Sequence, residues 1–83
     1  MTALPRLFSP IKIGEMEVKN RIVMAPMTTN WAPADGSVPE RMIEYLEARA
    51  KGGVGLIIFE TVTVDERFPY IMQSVGLWDD SLI

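Results

Sequence analysis

Eighty-three residues make one small domain or a piece of a larger one, and a fold of this size is marginal unless something braces it. The chain has no cysteine and no histidine, which excludes disulfides, thiolate or imidazole metal sites, and Cys- or His-based catalysis. A net charge of −3 with scattered basic residues leaves no footprint for nucleic acid, and no apolar run approaches the roughly 18 residues of a membrane span.

The first residues read as a loose lead-in without the charged-then-apolar order of a secretory signal, so the expected address is the cytoplasm. Pro10-Ile11-Lys12-Ile13 and Met16-Glu17-Val18-Lys19 alternate apolar and polar around Gly14-Glu15, which predicts a β-hairpin over residues 10–19. Ile22-Val23-Met24-Ala25 is a continuous apolar run stopped by Pro26, a first strand over 21–26. Residues 30–36 (Asn-Trp-Ala-Pro-Ala-Asp-Gly) are a loop by composition.

A helix is predicted over 38–51. Ser37-Val38-Pro39-Glu40 fits a capping box, with Ser37 as N-cap and Glu40 reaching back. Met42, Leu46 and Ala50 recur every four residues, with Ile43 and Tyr45 widening the stripe. Acidic residues sit early, basic residues late, and Gly52-Gly53 supplies the stop. Val54 to Phe59 is a second unbroken apolar run, predicting a strand over 54–60. Residues 65–70 read as a loop, and Asp79-Asp80-Ser81 as the N-cap cluster of a second helix.

Unbroken apolar strands are buried on both faces, as in a parallel sheet covered by helices. Strand, helix and strand in this order form a βαβ crossover, and one helix cannot cover both faces of either strand. The missing cover predicts truncation; an oligomer that completes the sheet in trans is the alternative.

Three stretches together resemble the opening of old yellow enzyme-type flavin oxidoreductases, including the enoate and dienoyl-CoA reductases. They are Leu7-Phe8-Ser9-Pro10-Ile11-Lys12-Ile13-Gly14 continuing through Val18-Lys19-Asn20-Arg21-Ile22-Val23-Met24-Ala25-Pro26-Met27, then Tyr45 through Ile58, then Gly76-Leu77-Trp78-Asp79-Asp80. The resemblance implies an α/β fold: an N-terminal hairpin plus the first βαβ unit of a TIM (β/α)₈ barrel, with chemistry at the C-terminal ends of the strands. It implies FMN across those ends, lined by Ala25, Pro26 and Met27, with Thr28 near the flavin C4 carbonyl and N5 and Thr61 at the same ring edge. A donor there would raise the flavin's electron affinity.

The activity implied is hydride transfer from NAD(P)H through flavin to an alkene conjugated to a carbonyl. An amine dehydrogenase of the same barrel family is the alternative within the class, and a non-catalytic remnant or interaction piece is the alternative outside it. The small-molecule substrate, any homo-oligomeric parent and any 4Fe-4S cluster of a longer parent belong to the resemblance alone. No catalytic residue and no metal ligand is assigned within the 83 residues, and the fragment by itself is expected to be inactive. The flavin phosphate site of such barrels lies after strands seven and eight. Glu60 reads as a structural carboxylate that anchors a loop or pairs with an arginine, ahead of a general base. Thr28 and Thr29 have the alternative reading of turn hydroxyls satisfying local backbone. Trp31 and Trp78 read as packing anchors.

Overall fold

The computed structural model describes residues 3–67 and 74–83. Strands β1 (Ile11–Ile13) and β2 (Met16–Val18) pair antiparallel, with Ile11 opposite Val18, Lys12 opposite Glu17 and Ile13 opposite Met16. This register gathers the apolar side chains on one face and sets Lys12 against Glu17 on the other. Gly14 takes φ +60° at the first turn position, a conformation that a type II′ hairpin turn reserves for glycine.

Strand β3 (Val23–Met24) runs parallel to β4 (Leu56–Ile57), with Val23 opposite Leu56 and Met24 opposite Ile57. The backbone N–H groups of Leu56 and Ile58 donate to the carbonyls of Ile22 and Met24. The next bond of this ladder falls to residue 26, and Pro26 has no N–H to give. That is why the pairing stops short of the C-terminal ends of the apolar runs.

Asn20 fastens the other end of the pair. Its Nδ2 donates to the Gly53 carbonyl at 2.6 Å and its Oδ1 accepts from the Ile22 N–H at 3.0 Å. One buried amide therefore ties the exit of the crossover helix to the start of the first strand.

Helix α1 (Glu40–Lys51) joins the two strands. The capping box expected from the sequence does not form. Pro39 is the N-cap, in extended backbone and with no side-chain cap. Ser37 instead turns back on Asp35, donating its N–H (3.0 Å) and hydroxyl (2.7 Å) to one carboxylate oxygen, because an Asx turn two residues away is the shorter reach. The Ser37 hydroxyl and then its N–H hold the Asp35 carboxyl below its usual range. At the far end Gly53, rather than Gly52, adopts the left-handed conformation, at φ +108°.

Arg41 stacks over the Trp31 ring at 3.8 Å, and Tyr45 meets that ring edge-on at 5.3 Å, so the loop after β3 is fastened to the first turns of α1. Trp31 is thus a packing anchor. Trp78 is another: its ring fills the space that side chains at Gly36 and Gly76 would need.

A second parallel pair, β5 (Val62–Thr63) with β6 (Val75–Gly76), was not foreseen. The segments are two residues each, too short for any periodicity to show, and they are bridged by a buried hydroxyl pair, Thr63 with Ser74 at 2.6 Å. The loop expected over 65–70 is described only through Arg67; its remainder lies outside the described residues. The helix expected from Asp79 is a single 3₁₀ turn (Asp80–Leu82), capped by Asp79, whose Oδ1 accepts from the Ser81 N–H at 2.9 Å. That bond lowers the Asp79 pKa.

The core is small: Ala32, Met42 and Val75, with Trp31 and Phe59 packed against it. The radius of gyration is 15.6 Å, where a compact chain of this length would have about 12 Å. Val23 and Ile58 remain 49% and 48% exposed, so the central strand pair shows apolar surface that nothing among the described residues covers.

Candidate functional site

The site builds from the place where the β3–β4 ladder stops. Both strands are parallel, so residues 25–29 and 58–61 leave the sheet from the same, C-terminal edge. Ala25, Pro26 and Met27 run off the end of β3 and are exposed, Met27 at 58%. Two side-chain rungs then replace the backbone ladder. Thr28 Oγ1 and Thr61 Oγ1 lie 2.8 Å apart, half-buried. The Thr29 N–H donates to Glu60 Oε2 at 2.8 Å and the Thr29 hydroxyl to Glu60 Oε1 at 3.2 Å.

The offset between partners shows the design. Val23 pairs with Leu56 and Met24 with Ile57, both thirty-three positions apart, and Thr28 meets Thr61 at the same separation. The hydroxyl pair carries the register of the sheet past the proline that ended it.

The donors left on the two hydroxyls set what this edge can offer. Two hydroxyls joined by one bond consume one of their two protons, and the other remains free to donate outward. With the exposed apolar run of residues 25–27, this makes a surface with one directed donor at its rim.

Of the residues expected at the site, the structure joins Thr28 to Thr61 directly and sets Ala25, Pro26 and Met27 on the adjoining strand end. The reading of Thr28 and Thr29 as hydroxyls serving local backbone is not what is found, since both bond across to the second strand. Glu60 is 8% exposed and anchors the loop after β3. Among the described residues it has no arginine or lysine partner, the ion pairs being the surface contacts Glu47–Lys51 and Asp65–Arg67. Its specific link to Thr29 went unforeseen: the two residues are 31 apart rather than 33, so the pairing lies off the strand register and only the folded strand ends bring them together.

A sequence profile of the NADH:flavin oxidoreductase / NADH oxidase family matches residues 6–83. The chain belongs to this family. It is 60% identical over 65 residues to an NADH oxidase of Thermoanaerobacter brockii, covering 78% of this chain and 10% of that protein. It is 50% identical over 60 residues to a cinnamate reductase of Clostridium sporogenes, covering 71% and 9%. The old yellow enzyme of Trypanosoma cruzi superposes at a TM-score of 0.85 with 36% identity, over 98% of this chain and 22% of that one. An old yellow enzyme homologue from Zymomonas mobilis superposes at 0.83 with 38% identity, over 94% and 21%.

The family segment is therefore the N-terminal hairpin and first βαβ unit of a (β/α)₈ barrel. It spans about a tenth of the length of the curated relatives. No helix among the described residues is long and apolar enough to cross a membrane.

Proposed function

We propose that this NADH:flavin oxidoreductase segment supplies the ring-facing edge of an FMN site, in a protein that reduces an alkene conjugated to a carbonyl at the expense of NAD(P)H. The observation that carries the reading is the Thr28–Thr61 hydroxyl pair beside the exposed residues 25–27, at the C-terminal edge of two parallel strands. That edge is where barrels of this kind place their chemistry.

The residues present fit the group. Ala25, Pro26 and Met27 offer carbon to the face of a flat aromatic ring, and Pro26 presents no N–H that would be left unpaired beneath it. Thr28 and Thr61 offer one free hydroxyl proton to a carbonyl or ring nitrogen at its rim. FMN, when bound, supplies the two-electron carrier between the nicotinamide and the substrate. The contribution of Thr28 is a fixed donor where negative charge accumulates, which stabilises the reduced state. The cinnamate reductase relative supports the conjugated alkene as substrate. The apolar surface left open at Val23 and Ile58 is assigned to the remaining strands and helices of the barrel.

The test is made on the intact protein. It should purify yellow, with FMN released on denaturation; a colourless protein that fails to take up added FMN would end this reading. Thr28→Val keeps the shape and removes the hydroxyl, and should slow flavin reduction by NAD(P)H about tenfold or more, in line with the loss of a directed donor. Thr61→Val should cost less, because the Thr28 hydroxyl keeps its own proton. Equal rates for wild type and Thr28→Val would remove Thr28 from the flavin.

A further inference from the structure

We propose that Glu60 is a positioning residue, whose carboxylate grips the Thr28–Thr29 peptide and so sets the direction in which Thr28 presents its hydroxyl; this rests on the flavin-facing reading of Thr28. Three observations carry it. Glu60 is 8% exposed, and both of its oxygens are taken by one residue: Oε2 accepts from the Thr29 N–H and Oε1 from the Thr29 hydroxyl. The adjoining residues, Thr28 and Thr61, form the neighbouring rung. The cavity beside Glu60, lined by Met24, Met42 and Phe59 among others, holds about 10 Å³, room for at most one water and for no substrate.

The geometry of the peptide unit does the rest. Six atoms of the Thr28–Thr29 link lie in one plane, with the Thr28 carbonyl opposite the Thr29 N–H. Holding that N–H at 2.8 Å fixes the plane, and with it the exit direction of Thr28. Pro26 has ended the backbone ladder two residues earlier, so no sheet hydrogen bond could do this instead. A carboxylate suits the task because it accepts only, and both groups facing it are donors. Glu60 follows Phe59, which packs against the core, so the grip is rooted in the packed side of the unit.

Substitutions separate this role from bulk stability. Glu60→Gln keeps an oxygen for the Thr29 N–H, and its amide can donate to the Thr29 hydroxyl, which is able to accept. Glu60→Met fills similar volume and removes both acceptors. In the intact, FMN-loaded protein, Glu60→Met should lower kcat for flavin reduction about tenfold with little change in KM, and Glu60→Gln should stay within about twofold of wild type. The visible flavin bands of Glu60→Met should move in the same direction as those of Thr28→Val. The double variant Thr28→Val/Glu60→Met should be no slower than Thr28→Val alone, because the two residues act through one hydroxyl.

Multiplying losses in the double variant would overturn the proposal, as would a Gln variant as impaired as the Met variant. Wild-type rates and bands in Glu60→Met, with Thr28→Val impaired, would overturn it while leaving the flavin reading intact. If Thr28→Val itself changes nothing, the flavin reading falls first and this inference with it. Should the Met variant not fold, Glu60→Asp keeps the charge but shortens the reach, and the same loss and the same non-additivity are expected of it.

Discussion

Gly55→Ala is expected to destabilise the intact protein by about 3 kcal/mol, through overpacking and lost buried hydrogen bonds. A Cβ at this position would overlap both the backbone carbonyl oxygen and the side-chain Oδ1 of Asn20. The side chain could rotate away, but only by giving up its bonds to the Gly53 carbonyl and the Ile22 N–H, and the carbonyl cannot rotate without moving β3. The same clash explains why removing the Asn20 side chain should not help: Asn20→Ala/Gly55→Ala should be no more stable than Gly55→Ala alone. By contrast, the nearest atoms obstructing a side chain at Gly76 all belong to the Trp78 ring, which a smaller residue would draw back. Urea unfolding of the two single variants and the double variant tests this. A loss below about 1 kcal/mol for Gly55→Ala would mean that the strand yields more easily than its register suggests.

Met42→Ala should cost about 3 kcal/mol, within the usual range for emptying a core position. Met42 is 1% exposed, the largest side chain fully buried among the described residues, and it joins α1 to Ala32 and Val75. Those contacts link three separate parts of the chain, so a cavity there loosens the helix, the loop after β3 and β6 together. Met42→Leu nearly conserves volume and should lose less than about 1.5 kcal/mol. The comparison of the two melting curves distinguishes a packing role from a requirement for the thioether. Similar losses for both would show that the flexible shape of methionine matters more than its bulk.

The hairpin and α1 were legible because their signals are local. Alternation on either side of Gly14 and the four-residue recurrence of Met42, Leu46 and Ala50 depend only on neighbours in the chain. The start of α1 misled for the same kind of reason. Ser37 has the composition of a cap, yet Asp35, two residues back, offered its side chain a nearer partner, and Pro39 became the N-cap instead. Strands β5 and β6 were invisible because two-residue segments show no period, and their pairing joins residues that sequence spacing does not connect.

What the sequence by itself determined was the class of fold, the order of hairpin, strand, helix and strand, and the point at Pro26 where the first strand must stop. Each follows from periodicity or from a missing N–H, and neither needs a partner to be known. What only the tertiary structure decided was which side chains continue the sheet beyond that proline. Thr28 meets Thr61 and Thr29 meets Glu60 only because the two strands run parallel in one register, and register is a property of the pair, not of either segment.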